Sequence, residues 1–207
     1  LPCEAQWIKT YGGSDSDYHS SAQQTADGGY IVAGGTRSFG AGDDAWVMKL
    51  DASGDITWQK TYGGTESDFV TFIQQTADGG YIVAGGTNSS GAGNCDMWLL
   101  KLDGIGNVTW QKTYGGSSDD WANSVQQTAD GGYIVAGGTC SFGDSDGDLW
   151  LLKFDASGNV TWQKAYGGTE YDNISFVRQT TDGGYIVTGW TYSFGAGNRD
   201  IWVVKLD

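Results

Sequence analysis

Apolar residues in this chain come in short runs broken by Asp, Gly, Ser and Asn, and the runs recur in a fixed order. The run Tyr-Ile-Val-(Ala/Thr)-Gly starts at Tyr30, Tyr81, Tyr133 and Tyr185. An Asp-Gly pair precedes each, at Asp27-Gly28, Asp78-Gly79, Asp130-Gly131 and Asp182-Gly183. That pair predicts a tight hairpin, because glycine accepts the positive φ such a turn requires. A first strand therefore lies ahead of the turn, as in Asn123 to Thr128, and the Tyr run is the second. The third opens at Trp46, Trp98, Trp150 and Trp202, each heading Trp-x-x-Lys-(Leu/Phe)-Asp. Its β-forming residues fall on both faces, so it is expected to be buried on both. A turn of the Asp-Ala-Ser-Gly-Asn type then returns the chain along a fourth strand carrying Trp58, Trp110 or Trp162, which Gly-Gly breaks.

The core of the pattern is identical over Gln23–Thr36, Gln74–Thr87 and Gln126–Thr139 and drifts in Arg178–Thr191. The chain is thus one tandem array, a single domain over 1–207 with units 7–57, 58–109, 110–161 and 162–207. One four-stranded antiparallel sheet buries too little surface alone, so the expectation is an all-β, four-bladed β-propeller, its blades packed face to face around an axis. The Asp-Gly-Gly-Tyr-Ile-Val-Ala-Gly core, with Trp-x-x-Lys-Leu-Asp and a Gly-Asn-x-x-Trp outer strand, resembles the propeller repeats of many secreted and cell-surface proteins of bacteria and archaea. The resemblance covers all the units and implies a fold and a compartment. Such repeats share no catalytic residues to carry over.

Counting strands leaves an imbalance. The last unit stops at Asp207 after its third strand, while Gln6–Gly13, with Trp7, Ile8, Lys9 and Tyr11, reads as an orphan fourth strand. This strand completes either its own chain's last blade, closing the ring, or that of a neighbour, giving a polymer.

Composition narrows the function classes. Of 207 residues, 35 are Gly and one is Pro, and the glycines sit at fixed turn offsets. Eleven basic against 25 acidic residues give a formal charge of −14, which repels phosphate backbones and anionic lipid, so nucleic acid is excluded as an expected partner. No apolar run approaches the roughly 18 residues of a spanning helix, and no membrane insertion is expected. The start Leu1-Pro2-Cys3 reads as a processed N-terminus and points to export to the cell surface or beyond. Sequons at Asn88, Asn107, Asn159 and Asn173 agree with a glycoprotein, although Asn107 and Asn159 sit in a Gly-Asn-Val-Thr turn that uses Asn for local geometry. Of the cysteines Cys3, Cys95 and Cys140, the last two fall in or beside equivalent loops of adjacent units, which allows a Cys95–Cys140 bridge; alternatively Cys3 bonds a stacked neighbour.

Candidate chemistry is sparse. Fifteen of the 25 carboxylates fall in loops of one face, which should be strongly negative. Two recurring sets, Asp17, Asp68, Asp120, Asp172 and Asp44, Asp96, Asp148, Asp200, read as acceptors for backbone N–H groups in fixed turns. Asp144-Ser-Asp146-Gly-Asp148 alternates carboxylates as a calcium loop does, but lacks the later Gly and Glu of an EF-hand; it is either a calcium site or a solvated acidic loop. No other cofactor is expected. Trp121 and Trp190 fall outside the repeating tryptophans, and Trp190 replaces Gly35, Gly86 and Gly138 of the other units. With Tyr192, Tyr171, Asn173 and Arg199 it offers aromatic planes beside polar groups, as a sugar ring requires; the competing reading is an aromatic plug or a subunit contact. The single histidine, His19, is replaced by Val70, Ala122 and Ile174 in the other units, which argues against a catalytic base. Neither zinc nor nucleotide has a motif. The expectation is a non-enzymatic, extracellular structural or adhesive protein that assembles with copies of itself, the alternative being a carbohydrate-binding module.

Overall fold

The computed structural model describes residues 6–143 and 147–207, all of them in strands, turns and loops with no helix. Its fifteen strands are β1 (Asp17–Gln24), β2 (Tyr30–Thr36), β3 (Asp44–Leu50), β4 (Ile56–Tyr62), β5 (Asp68–Gln75), β6 (Tyr81–Thr87), β7 (Asp96–Leu102), β8 (Val108–Tyr114), β9 (Asp120–Gln127), β10 (Tyr133–Thr139), β11 (Asp148–Phe154), β12 (Val160–Tyr166), β13 (Asp172–Gln179), β14 (Tyr185–Thr191) and β15 (Asp200–Leu206). Consecutive antiparallel strands make sheet 1 (β1–β4), sheet 2 (β5–β8), sheet 3 (β9–β12) and a three-stranded sheet 4 (β13–β15). The first strand of each unit begins earlier than its β-formers suggest, at Asp120 and not at Asn123 in sheet 3.

Turn chemistry and the recurring lysine act together. Gly28, Gly79, Gly131 and Gly183 have φ of +83°, +80°, +82° and +90°, as the hairpin demands. The aspartate before each is a hub: Asp130 accepts from the Thr128 hydroxyl, from Gly132 N–H at 3.0 Å and from Lys153 Nζ at 2.8 Å. Lys49, Lys101 and Lys153 lie along their sheets at 6 % exposure and reach Asp27, Asp78 and Asp130. Lys205 reaches Asp182 in the same way from a more open sheet 4. The lysine of Trp-x-x-Lys thus ties the third strand to the first hairpin. Lys153, then Thr128, hold Asp130 down to about 2. Thr180, then Lys205, do the same for Asp182. Burial pushes Asp78 upward, yet bonds from Thr76, Lys101 and Gly80 bring it to about 2.

The core lies between sheets. Ile31, Ala33, Ala45 and Val47 on one face of sheet 1, each 0 % exposed, pack on Val70, Ile73, Val83 and Leu100 of sheet 2. Sheets 2 and 3 repeat this through Ile82, Ala84, Met97 and Leu99, and sheets 3 and 4 through Ile134, Ala136, Leu149 and Leu151. Polar stitches run along each seam. Gln75 N–H donates to Gln23 Oε1 at 2.7 Å, Gln127 N–H to Gln74 Oε1 at 2.8 Å and Gln179 N–H to Gln126 Oε1 at 2.7 Å, which accounts for the repeated Gln-Gln. The outer strand straps each sheet to the next: Trp58 meets Tyr81 edge-on at 5.9 Å and Tyr62 OH donates to Gly106 O at 2.7 Å.

The ends of the array differ from expectation. Residues 7–13 form no strand and make no ladder with β15, so this chain's own N-terminal segment does not complete sheet 4. The segment packs on sheet 1 just as β4 packs on sheet 2. Trp7 meets Tyr30 at 5.8 Å, Tyr11 OH donates to Gly54 O at 2.6 Å, and Lys9 pairs with Asp55 at 2.6 Å. Sheet 4 comes near sheet 1 where Arg178 lines one cavity with Ser21, Ala22 and Gln23, but among the described residues no extended packed face like those of the other seams joins the two. Ile201 and Val203 are consequently 86 % and 57 % exposed, where the matching Leu149 and Leu151 are 2 % and 0 %.

Truncating Leu151 to Ala opens a cavity in the seam between sheets 3 and 4, and denaturant unfolding should show a loss of about 2–5 kcal/mol. The turn aspartates titrate lower in the folded chain than the ~3.9 of an unfolded Asp. Their contribution is therefore present above that value and is lost as pH falls toward 2. Calorimetry should find the melting temperature flat from neutral pH to about 5 and falling below about 4, with a shallower fall in Asp130→Asn.

Candidate functional site

The first three units each pair an aromatic residue with a glycine across their first two strands, and this local rule shapes the candidate site. Tyr18 is opposite Gly35, Phe69 opposite Gly86 and Trp121 opposite Gly138. The rings lie over the glycines so closely that a Cβ at Gly35, Gly86 or Gly138 would stand 2.3, 2.5 or 2.3 Å from ring carbons. A ring laid on a glycine covers backbone that has no side chain of its own. Trp121 is thus part of the repeat and sits in sheet 3, apart from the predicted cluster. In sheet 4 the pair is inverted, with Asn173 on β13 opposite Trp190 on β14.

The inversion brings the other predicted residues together. Trp190 lies 5.3 Å from Tyr171 at 34° and 5.3 Å from Tyr192 at 79°, with the Arg199 guanidinium carbon 5.2 Å from its ring centroid. Asn173 Nδ2 donates to Tyr171 OH at 3.1 Å, and Asn173 Oδ1 accepts from Asn123 of sheet 3 at 3.1 Å. Trp190 and Tyr171 are half-buried, while Tyr192 is 43 % exposed and Arg199 is exposed. The cluster is a ring platform with a cation at its rim. It belongs to the same uncovered face as Ile201, the β15 partner of Trp190. A second concavity, about 390 Å³, lies on the opposite uncovered end, in sheet 1, lined by Tyr11, His19, Val32, Trp46 and Met48 among others. The sequence pointed to the sheet 4 face through Trp190, but not to the groove on sheet 1.

The acidic loops are less exposed than their residue types suggest. Asp44, Asp68, Asp96, Asp120, Asp148 and Asp172 are all buried, so the surface of that face is less negative than its count of carboxylates implies. Asp120 Oδ2 accepts from Gly116 N–H at 2.8 Å and Ser141 Oγ at 2.7 Å; Asp68 and Asp172 do the same with Gly64 and Ser89, and with Gly168 and Ser193. Asp44, Asp96 and Asp200 accept from Ala41, Gly93 and Ala196 N–H. The Thr36 hydroxyl, first among several donors, holds the Asp17 carboxyl below the usual range. Burial raises Asp172, but donors from Thr191, Ser193 and Gly168 outweigh it. These aspartates tie down loops.

Among the described residues no group of three or more His, Cys, Asp or Glu could hold a metal ion. Asp144 and Asp146 of the predicted calcium loop lie outside the described residues, as does Cys3. Cys95 and Cys140 are not joined in a disulfide. Their backbones flank one dipeptide, Asp120 N–H donating to Cys95 O and Cys140 N–H to Asp119 O. Burial, then the surrounding carboxylates, push the Cys95 thiol up to about 11, which leaves it protonated and a poor nucleophile at neutral pH. Of the sequons, Asn107 and Asn159 spend their amides on Asp103 and Asp155 at 2.9 Å, and Asn173 on Tyr171. Asn88 is exposed.

Replacing Trp121 by Ala uncovers Gly138 and should cost about 2 kcal/mol in thermal or urea unfolding. The double variant Asn173→Trp/Trp190→Gly restores the pairing of the other sheets and should unfold within ~1 kcal/mol of the parent.

No family model matches the chain, and no curated protein matches it. Among solved structures it is similar to a provisionally assigned exo-β-1,3-galactanase from Bifidobacterium bifidum, at 13 % identity and a TM-score of 0.52 over 91 % of this chain and 68 % of that one. A tail fibre of a Staphylococcus aureus phage matches at 10 % identity and a TM-score of 0.34, and the chain spans half of its length. At such identities the first likeness is one of fold: an all-β chain of antiparallel sheets.

Proposed function

We propose that this chain is a non-catalytic structural or adhesive module of β-propeller type, exported to the cell surface or beyond, that associates with copies of itself. The observation carrying this reading is the uncovered outer face of sheet 4, where Ile201 is 86 % and Val203 57 % exposed. A contiguous apolar face left open marks an interaction site. The groove on sheet 1 supplies a second such face at the other end. The non-catalytic reading is supported by the recurring aspartates of the acidic loops, which are spent on turn N–H and hydroxyl groups, and by Cys95, which burial holds protonated. A net charge of −14 opposes close approach of copies, and added salt relieves that repulsion.

Native mass by light scattering tests the reading. The parent should run as multiples of 22.0 kDa at high protein concentration, more so as salt is raised, and Ile201→Asp should return it to 22.0 kDa. A 22.0 kDa parent at every concentration and salt would sink the proposal.

A second reading, a carbohydrate-binding module, is favoured by the Tyr171–Trp190–Tyr192 platform with Arg199 at its rim. Glycan-array binding that Tyr192→Ala abolishes at unchanged native mass would establish it over assembly. No glycan bound at any concentration would remove it.

A further inference from the structure

One position on the first strand of each unit departs from the sameness of the repeat. Two residues ahead of Gln23, Gln74, Gln126 and Arg178 stand Ser21, Phe72, Ser124 and Phe176, so a small hydroxyl alternates with a ring. The two rings meet. Phe72 of sheet 2 and Phe176 of sheet 4 are 6.4 Å apart and edge-on, although their sheets share no seam. The first strands of sheets 1, 2 and 4 thereby converge on a cavity of about 190 Å³, which β1 lines from Ser21 to Gln23, β5 from Phe72 to Gln74, and β13 with Arg178.

Arg178 differs from the other cations of the chain. Among 25 acidic residues, Lys9, Arg37, Lys49, Lys101, Lys153 and Lys205 each hold an aspartate. Arg178 is half-buried, and among the described residues it pairs with no carboxylate; its Nη1 donates to the carbonyl of its neighbour Val177 at 2.9 Å. The guanidinium carbon lies 3.9 Å from the Phe176 ring centroid and 5.5 Å from that of Phe72. Stacking on a ring covers a face of the planar group and leaves its N–H edge to donate. Burial holds the guanidinium below the usual arginine range, with no carboxylate acting against it, and it stays charged at neutral pH. A desolvated cation without a counter-charge is costly, and a bound anion offsets that cost.

The cavity's other polar groups are donors as well. Gln23 Oε1 accepts from Gln75 N–H at 2.7 Å and Gln74 Oε1 from Gln127 N–H at 2.8 Å, so what each amide has left is its Nε2. Ser21 adds a hydroxyl, while Ala22, Phe72 and Ile73 supply an apolar wall. The volume is below the roughly 300–1,000 Å³ of sites for drug-sized ligands, so the occupant is small.

We infer that this cavity binds a small organic carboxylate, its oxygens on the Arg178 fork and the glutamine amides and its carbon body against Phe72 and Ile73. The fork matches a carboxylate through two parallel bonds. Inorganic phosphate has no carbon body for the apolar wall, and as a dianion it meets twice the repulsion from a net charge of −14. The site is separate from the Trp190 cluster on β14 and does not depend on the association proposed above.

The chain has three arginines, Arg37, Arg178 and Arg199, so their Nε–H resonances in a heteronuclear NMR spectrum read the site directly. The Arg178 resonance is the one lost in Arg178→Gln, which installs the residue of the other three units and should keep the parent's circular dichroism. Titrated with benzoate at constant ionic strength, Arg178 Nε–H should shift saturably with a Kd of about 1 mM, and Arg37 and Arg199 should not. Followed through the Phe72 and Ile73 amides, affinity should fall at least about tenfold in Arg178→Gln. Arg178→Lys, which keeps the charge without the fork, should lose roughly threefold to tenfold and gives the same test should the glutamine variant lose its native spectrum. A saturable shift of Arg199 in place of Arg178, no saturable shift up to the solubility of benzoate, or unchanged affinity in the folded variants would overturn the site. Inorganic phosphate binding more tightly than benzoate would overturn the assignment to a carboxylate.

Discussion

The packing of one sheet's outer face on the next sheet is the interaction on which this molecule depends. Four strands, or three, cannot bury enough apolar surface on one side to offset the ordering of their backbone. Stacking solves this three times over, and each seam uses the same parts: an Ile-Ala-x-Leu face, a Gln side chain accepting from the next sheet's backbone, and a Trp-Tyr strap from the outer strand. The constraint also creates the problem at the ends. A seam has two unlike sides, so a stack always presents one of each at its ends.

Much of this architecture was legible in the chain because its signals are local. Asp-Gly places a positive φ at Gly131 whatever surrounds it, and the period of the tryptophans follows from one sheet per unit. The fate of residues 7–13 was not legible in the same way. Their β-formers suit a strand, but a strand exists only where a partner edge is present, and β15 of the same chain forms no ladder with them. The acidic loops misled for a related reason: type and spacing mark Asp120 as charged, but only the fold shows it at 0 % exposure beneath Gly116 and Ser141.

The candidate site shows a mixed case. That Trp190 departs from the repeat was visible, as were the tyrosines near it. Its meaning depended on cross-strand pairing, which shows Asn173 and Trp190 exchanging the places that Trp121 and Gly138 hold in sheet 3. The aromatic cluster is thereby a variant of a covering device present in the first three units, placed on the exposed outer face of sheet 4. Sugar stacking and copy-to-copy contact would use the same surface, so the two readings compete for it. Of the four departures of Arg178–Thr191 from the repeat, Thr188 and Trp190 fall on that face, whereas Thr181 lies in the hairpin turn and Arg178 lies over Phe176 and Phe72.

Hydrogen exchange of the β15 backbone, followed across a dilution series, tests the central claim most directly. The outward-facing edge of β15 has no ladder in the single chain, so its exposed amides should exchange fast when dilute and become protected as concentration rises. Rapid exchange at every concentration, or protection already complete at the highest dilution, would contradict it: the first outcome leaves the face uncovered, and the second has the chain covering its own edge.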